Sequence, residues 1–195
     1  MAPGSAFASW FSDAHVLPDF TIEQVEWTDA RAVALRAVMD AEMAVRYPHF
    51  DEEVAVTAAR DEALAVHDDE FVTVLLALDP DGTPIGHLAL RPLRDEWEAK
   101  RLIVAPSARG RGVATALLAG IAAAARDHGA SRLILQTGWN QPESVALYRK
   151  LGFDEIPVYE PYAATMPQSH CFALPLEPLA RPPGPPGGRC VFPGG

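Results

Sequence analysis

The chain has few of the residue types that build disulfide frameworks, metal sites and nucleic-acid interfaces. Only two of its 195 residues are cysteines, and Cys171 and Cys190 form no CxxC pair, so a disulfide framework is not expected. The six histidines are scattered without metal-ligand spacing, and no metal site is predicted. The formal net charge of −10 argues against nucleic-acid binding, because a phosphate backbone needs a basic face.

Long hydrophobic runs are also missing. No apolar run reaches the length that crosses a bilayer, and the segment from Met1 to Phe11 lacks the charged start and sustained apolar stretch of a signal peptide. We therefore predict a cytoplasmic protein with no membrane partner. The hydrophobic fraction of 49% is ordinary for a soluble globular protein, and the length predicts one domain with tails.

The sequence pattern places that domain at residues 19–177. Residues 1–18 are predicted to be a flexible extension, and the proline- and glycine-rich residues 178–195 a disordered tail, because burial cannot offset their ordering entropy. Between them, strands and helices alternate. Strands are predicted over 20–27, 71–78, 85–93, 96–104, 132–137, 153–158 and 170–176, and helices over 29–47, 52–67, 110–128 and 142–151. Adjacent Lys100 and Arg101 break the alternation of one strand and suit a β-bulge.

Residues 104–114 (Val-Ala-Pro-Ser-Ala-Arg-Gly-Arg-Gly-Val-Ala) are the most informative segment. An apolar strand ends at a proline turn, and a basic glycine loop leads directly into a helix rich in alanine and leucine. The free N–H groups and positive dipole at a helix start favour an anion. Gly110 and Gly112 would let a phosphate approach the main chain, and Arg109 and Arg111 would add charge. The sequence therefore predicts a pyrophosphate-binding loop.

A second segment, residues 138–153, begins after the strand at 132–137. Asn140 and Glu143 have the spacing of a reciprocal helix cap. Asn140, Ser144 and Tyr148 fall at i, i+4 and i+8, which predicts one polar stripe for a ligand. Burial against the sheet is predicted for another stripe, formed by Leu147 and Leu151.

Together the two segments resemble the GNAT superfamily of acetyl-CoA-dependent N-acetyltransferases. Arg109, Gly112 and Ala114 match the family motif Arg/Gln-x-x-Gly-x-Gly/Ala, and residues 146–153 (Ala-Leu-Tyr-Arg-Lys-Leu-Gly-Phe) are close to its downstream pattern. The resemblance covers the element order of residues 20–176 and is specific over 96–153. It implies an α/β fold of the α+β type, the GNAT fold. In that fold a mixed, mostly antiparallel twisted sheet of about seven strands is flanked by about four helices, and two parallel central strands splay around the cofactor.

The resemblance also implies roles for individual residues toward acetyl-CoA as cosubstrate. Main-chain groups of Leu102, Ile103 and Val104 would bind the pantetheine arm and the thioester carbonyl. Backbone N–H groups would hold the pyrophosphate along the loop formed by Arg109, Gly110, Arg111, Gly112, Val113 and Ala114. Asn140 would bind the pantetheine. Tyr148 would lie near the sulfur as the general acid for the leaving thiolate.

The implied reaction is direct transfer of the acetyl group to a primary amine, predicted to belong to a small molecule, through a tetrahedral intermediate. An ammonium has no lone pair, so it must lose its proton before it attacks, and a carboxylate, directly or through water, can remove that proton. Glu98 is the preferred base, because such families often carry a glutamate on this strand. Glu96 is the alternative base, since the suspected bulge leaves open which face of the sheet each glutamate points to. Strand N–H groups would stabilise the oxyanion.

Several residues keep a second interpretation. Tyr148 could be a packed amphipathic side chain, and Asn140 a helix cap alone. Glu42, Arg46 and Tyr47, near the end of the first helix, could line an acceptor pocket or serve as surface charges and a packing residue. His87 and Cys171 are interpreted as an ordinary strand residue and a packed thiol.

The function also keeps alternatives. One is a non-catalytic acetyl-CoA-binding regulatory domain, and another is acetylation of a protein amine. A dinucleotide-binding fold fails, because the loop lacks the three-glycine fingerprint and no suitable acidic residue ends a following strand. The oligomeric state is open, with a homodimer through edge pairing or swapping of the last strand as one arrangement.

Overall fold

The computed structural model describes residues 19–47 and 54–177, and the extension and tail predicted at 1–18 and 178–195 lie outside the described residues. Seven described strands form one sheet in the order β1-β2-β3-β4-β5-β7-β6. The strands are β1 (Thr21–Gln24), β2 (Thr73–Leu78), β3 (Pro84–Leu93), β4 (Glu96–Val104), β5 (Arg132–Thr137), β6 (Asp154–Ile156) and β7 (His170–Pro175). All neighbours are antiparallel except β4 and β5.

Five α-helices are described around this sheet. They are α1 (Ala30–Arg46), α2 (Val54–Leu64), α3 (Val113–Asp127), α4 (Pro142–Lys150) and the four-residue α5 (Tyr162–Thr165), with a 3-10 turn at Pro106–Ala108. The predicted fold class is confirmed. The sequence pattern missed α5, because a single turn carries no readable periodicity. The predicted strand over 153–158 shrinks to the three residues of β6.

The main core lies between α3 and the sheet. Val113, Leu117 and Ile121, predicted to stack at i, i+4 and i+8, are all fully or almost fully buried against β2, β3 and β4. Full burial of one such aliphatic side chain stabilises the fold by roughly 1.5–3 kcal/mol. The position of α3, and so of the loop before it, is therefore set by its apolar stripe.

The β-bulge predicted on β4 is confirmed. Ala89 is opposite Lys100 and His87 is opposite Ile103, which leaves two residues of β4 facing Leu88 alone. Arg101 takes a positive φ of 65°, the backbone kink that accommodates the additional residue. The bulge changes which residues of β4 point to the α3 side of the sheet, from odd-numbered before it to even-numbered after it. Trp97 and Ala99 before it pack on the α3 side, as do Leu102 and Val104 after it.

The two parallel strands part soon after they meet. Within the described residues, β4 and β5 are in register only at Trp97 with Leu133 and at Glu98 with Ile134. On their outer sides both strands stay paired, β4 with β3 and the whole of β5 with β7. The fork between them is therefore held open from both sides.

The last strand is not an edge strand. β7 pairs with β5 on one side and with β6 on the other, so its backbone groups are already used within the sheet. Edge pairing through this strand is wrong for that reason, whereas a homodimer, for example by swapping of the strand, stays a prediction. The edges of the described sheet are β1 and the short β6.

Gly86 provides a test of the contact between α3 and the sheet. A Cβ on this residue would lie 2.6 Å from Val113 Cγ1 and 3.0 Å from Leu117 Cδ1. We expect Gly86→Ala to lower the free energy of unfolding in urea by about 1–3 kcal/mol through overpacking. In a double-mutant cycle with Val113→Ala, the two losses should be less than additive, because the second change removes the nearest atom. Full additivity, or an unchanged Gly86→Ala protein, would show that α3 is not seated as described.

Candidate functional site

A cleft of about 1040 Å³ opens at the carboxyl end of β4, beyond the point where β4 and β5 part. One wall is the end of β4 with the glycine loop and the first turn of α3. The opposite walls are the last two turns of α1 and the length of α4. All residues of β4 and of the glycine loop that were predicted to bind acetyl-CoA line this cleft. They are Leu102, Ile103, Val104, Arg109, Gly110, Arg111, Gly112, Val113 and Ala114.

The two loop glycines are required by the backbone conformation. Gly110 and Gly112 have φ values of 81° and 85°, in the left-handed region that side chains with a Cβ rarely adopt. A Cβ at either would meet no protein atom within 4 Å, so the protein leaves the space beside them open. Gly112 is the N-cap of α3 and makes no side-chain cap hydrogen bond. The first N–H groups of α3 therefore keep the anion-binding capacity of a helix start.

The two loop arginines differ in how far their charge is compensated. Arg111 Nη2 lies 2.6 Å from Asp79 Oδ1 and 3.0 Å from Asp19 Oδ1, and the hydrogen bonds to Asp79 and Asp19 raise its pKa. Arg109 is half-exposed, and its Nη2 lies 3.0 Å from Glu42 Oε2. Arg109 is therefore the more accessible of the two guanidinium groups, and a carboxyl group that lines the same cleft holds it.

The end of α1 is tied to the residues that precede α4. Asn140 donates its side-chain amide to the carbonyl of Arg46 (3.1 Å) and its backbone N–H to the Tyr47 hydroxyl (3.0 Å). Asn140 is exposed and is not among the described residues that line the cleft. Its observed contacts secure the loop against α1. The pantetheine contact remains a prediction.

The reciprocal cap predicted between Asn140 and Glu143 is wrong. The N-cap of α4 is Gln141, and it makes no side-chain cap hydrogen bond. Glu143 Oε1 instead lies 2.5 Å from Arg46 Nη2, and the same nitrogen is 2.8 Å from Glu42 Oε1. Of the three residues near the end of α1 with an open assignment, Glu42 and Arg46 line the cleft and Tyr47 does not.

The faces of α4 also differ from the prediction. Ser144, Leu147 and Leu151 line the cleft, whereas Val145 and Tyr148 are buried in the core. The predicted stripe joining Ser144 to Tyr148 is therefore wrong. Leu147 and Leu151 line the cleft and are also half-buried against the main core, so their predicted burial is found in part. The predicted polar stripe fails because the ring of Tyr148 packs in that core.

Tyr148 is a packed side chain in this structure. It is 5% exposed, and its ring centroid lies 5.6 Å from that of Phe153 and 5.5 Å from that of Phe172. Burial raises the pKa of its hydroxyl, which therefore stays protonated at neutral pH. The described residues that line the cleft do not include it. Its role as general acid stays a prediction.

The two candidate bases occupy different environments. Glu98 is fully buried at the last paired position before the fork. Its Oε2 accepts a hydrogen bond from Arg91 Nε at 2.8 Å, and its Oε1 accepts from the hydroxyls of Tyr162 at 2.8 Å and Tyr159 at 2.9 Å. Glu96, at the start of β4, is paired with Arg132 on the surface. Of the two, Glu98 is the one near the fork.

The groups around Glu98 were not anticipated from the sequence. Lys100, two residues further along β4, is 8% exposed and donates to the Tyr162 hydroxyl. Burial lowers the pKa of Lys100 to about 8. Arg91 also reaches Glu70 at 2.6 Å. The i, i+2 spacing of Glu98 and Lys100 in a strand was a signal that two charged groups share one face of the sheet.

The described residues contain no group of three or more histidine, cysteine or acidic side chains that could hold a metal ion. Cys171 is buried, in agreement with its interpretation as a packed thiol. No helix in the described part of the chain is long and apolar enough to cross a membrane.

Comparison with known proteins gives curated relatives over part of the chain. A stretch of 77 residues is 45% identical to an IAA acetyltransferase of Azospirillum brasilense, covering 40% of this chain and 50% of that protein. A stretch of 80 residues is 36% identical to N-acetyltransferase 8 of Mus musculus, covering 38% of this chain and 35% of that protein. The chain thus matches half or less of the length of these relatives.

Solved structures share the fold over most of the chain. A candidate acyl-CoA N-acyltransferase from Klebsiella pneumoniae subsp. pneumoniae superimposes with a TM-score of 0.65 at 26% identity, covering 83% of this chain and 100% of that one. A GNAT family acetyltransferase from Elizabethkingia anophelis, solved with acetyl-CoA bound, has a TM-score of 0.56 at 17% identity, covering 82% of this chain and 100% of that one. A model of the acetyltransferase (GNAT) family matches residues 34–153, and the chain belongs to that family.

Proposed function

We propose that the protein transfers an acetyl group from acetyl-CoA to a primary amine of a small molecule. The observation that carries the proposal is the open cleft between the fork of the sheet and the unblocked start of α3. The family uses acetyl-CoA, and the Elizabethkingia relative holds that molecule. An acidic chain suits a cationic acceptor.

In this proposal the cleft receives acetyl-CoA along its length. The backbone N–H groups from Gly110 to Ala114 hold the diphosphate, with the accessible charge of Arg109 beside them. The pantetheine arm follows the main chain of residues 102–104. Apolar side chains of the facing helices cover it, and these are Met39, Met43, Leu147 and Leu151. Asn140, tied to α1, keeps the loop that begins α4 in place and contacts the pantetheine.

The proposed chemistry assigns each proton and bond. Glu98, directly or through a water molecule, takes the proton of the ammonium. The amine lone pair then forms the new C–N bond at the thioester carbonyl, and strand N–H groups stabilise the oxyanion. Collapse of the intermediate breaks the C–S bond, and the thiolate takes a proton from the hydroxyl of Tyr148. The second proton that the nitrogen loses as the amide forms returns to the Tyr148 oxygen, and Glu98 releases its proton to solvent. The products are an N-acetylated amine and CoA.

Two observations favour a second candidate function, a regulatory domain that binds acetyl-CoA without turnover. Both carboxyl oxygens of Glu98 already have donors, and Tyr148 does not line the cleft. Measurement of CoA release with a panel of amines separates the two functions. Tight binding of acetyl-CoA with no turnover on any amine favours regulation, and release with one class of amine identifies the acceptor.

Gly112 tests the binding of the diphosphate. We expect Gly112→Val to weaken acetyl-CoA binding roughly tenfold or more in calorimetry, which corresponds to about one lost hydrogen bond to a charged group. Gly129→Val is the matched control, because Gly129 has a φ of 83° just beyond the opposite end of α3. Both variants lose stability through strain, but only the first should lose affinity. Unchanged affinity of Gly112→Val would refute the loop as the binding site.

Glu98 tests the assignment of the base. We expect Glu98→Gln to lower kcat/KM by roughly 10²–10⁴-fold, the contribution of a general base. Glu96→Gln is the surface control and should keep the wild-type kcat/KM. If Glu98→Gln keeps the wild-type kcat/KM and Glu96→Gln does not, the base is Glu96.

Tyr148→Phe separates the hydroxyl of this residue from the packing of its ring. The substitution keeps the contacts with Phe153 and Phe172, so stability should change little. We expect kcat to fall while the affinity for acetyl-CoA is kept, because only the proton donor is lost. Equal turnover by the variant would make Tyr148 a core residue without a catalytic role.

A further inference from the structure

His87, on β3, is bonded to the bulge of β4. It is fully buried, and its Nδ1 lies 2.9 Å from the backbone carbonyl oxygen of Arg101. Its Nε2 lies 3.2 Å from Nη1 of Arg36, on α1. The imidazole therefore joins three elements, α1, β3 and the kinked part of β4. No step of the proposed reaction involves this side chain.

The partners of His87 determine which ring nitrogen carries the proton. A guanidinium has donors only, so Nε2 must accept from Arg36 and Nδ1 must donate to the Arg101 carbonyl. Arg36 is itself held, because its Nη2 donates to the carbonyl of Trp27 at 2.6 Å and its guanidinium lies 3.6 Å from the centre of the Trp27 ring. Burial and the adjacent Arg36 charge lower the pKa of His87 to about 4, so the neutral tautomer persists at physiological pH.

The bulge needs an external constraint of this kind. A long side chain at a positive φ is a strained state that costs on the order of 1–3 kcal/mol and persists only when its surroundings hold it. Besides the contact with His87, Arg101 has a surface pairing with Asp40 at 2.6 Å, which water screens. The part-buried hydrogen bond to His87 acts directly on the main-chain carbonyl of Arg101.

The carbonyl of Arg101 and the N–H of Leu102 belong to one planar peptide unit. In a trans peptide these two groups point in opposite directions, so a hydrogen bond that directs the carbonyl toward His87 directs the N–H away from it. Leu102 lines the cleft. We propose that His87 is a positioning residue that orients this peptide so that the Leu102 N–H can donate to the thioester oxygen. The inference rests on the proposed function and adds a residue that acts through the main chain of β4.

The chain offers a matched pair of substitutions at this position. His87→Asn places a carboxamide N–H where Nδ1 was and can still donate to the Arg101 carbonyl. His87→Gln places its carboxamide where Nε2 was and faces Arg36 alone. The two variants bury similar groups, so comparable losses of stability in urea are expected from both. The variants differ in the partner that they keep, which is the Arg101 carbonyl in His87→Asn and Arg36 in His87→Gln.

We expect His87→Gln to lower kcat by roughly tenfold or more, because one oxyanion donor contributes about 10²–10³-fold and misorientation removes part of that. His87→Asn should restore most of the wild-type kcat. The affinity for free CoA, which has no acyl carbonyl, should be the same in both variants. Equal kcat values in the two variants, or a loss of kcat that follows the loss of folded protein, would overturn the inference.

A second measurement does not depend on turnover. The amide resonance of Leu102 should differ between the acetyl-CoA and CoA complexes of the wild-type protein and of His87→Asn, but not of His87→Gln. Absence of that difference in the wild-type protein would overturn the inference. Failure of the proposed function is distinguishable, because it would appear as an absence of acetyl-CoA binding or of turnover on every amine.

Discussion

The short pairing between β4 and β5 is the constraint on which the rest of the site depends. After Glu98 and Ile134 the two strands share no further register, while β3 and β7 keep each of them in the sheet. The cleft lies beyond this fork. The loop that leads from β4 to α3 and the loop that leads from β5 to α4 end at the same place, because both strands point their carboxyl ends toward it. The walls of the cleft follow from that topology.

Ion pairs within the protein determine which positive groups in the cleft are available to bind an anion. A chain with a net charge of −10 must concentrate positive potential locally to attract a polyanion. Arg111 is paired with two carboxyl groups and Arg109 with one, so the helix start adds positive potential that no side chain compensates. Arg46, bonded to Glu42 and Glu143, links α1 to α4 across the cleft. Glu42 holds Arg109 as well, so an anion entering the cleft competes with Glu42 for the same guanidinium.

Much of the local backbone structure could be predicted from the sequence, apart from the cap at Asn140 and Glu143, and long-range packing could not. The glycine loop, the α3 stripe and the bulge at Arg101 each depend on residues within a few positions, and each is found where the pattern placed it. The polar stripe predicted on α4 was wrong, because the ring of Tyr148 packs in the core against Phe153 and Phe172. The partners of Glu98 lie on β3 and near α5, some 7 to 64 residues away in the chain, where no spacing rule reaches them. His87 was an ordinary strand residue in the sequence for the same reason, since its contacts come from α1 and β4.

A crystal structure of the protein with acetyl-CoA tests the central claim most directly. The account predicts that diphosphate oxygens lie within about 3 Å of backbone nitrogens between Gly110 and Ala114, with the thioester at the fork beyond Glu98. A diphosphate bound elsewhere on the surface, with the α3 start open to solvent, would contradict it.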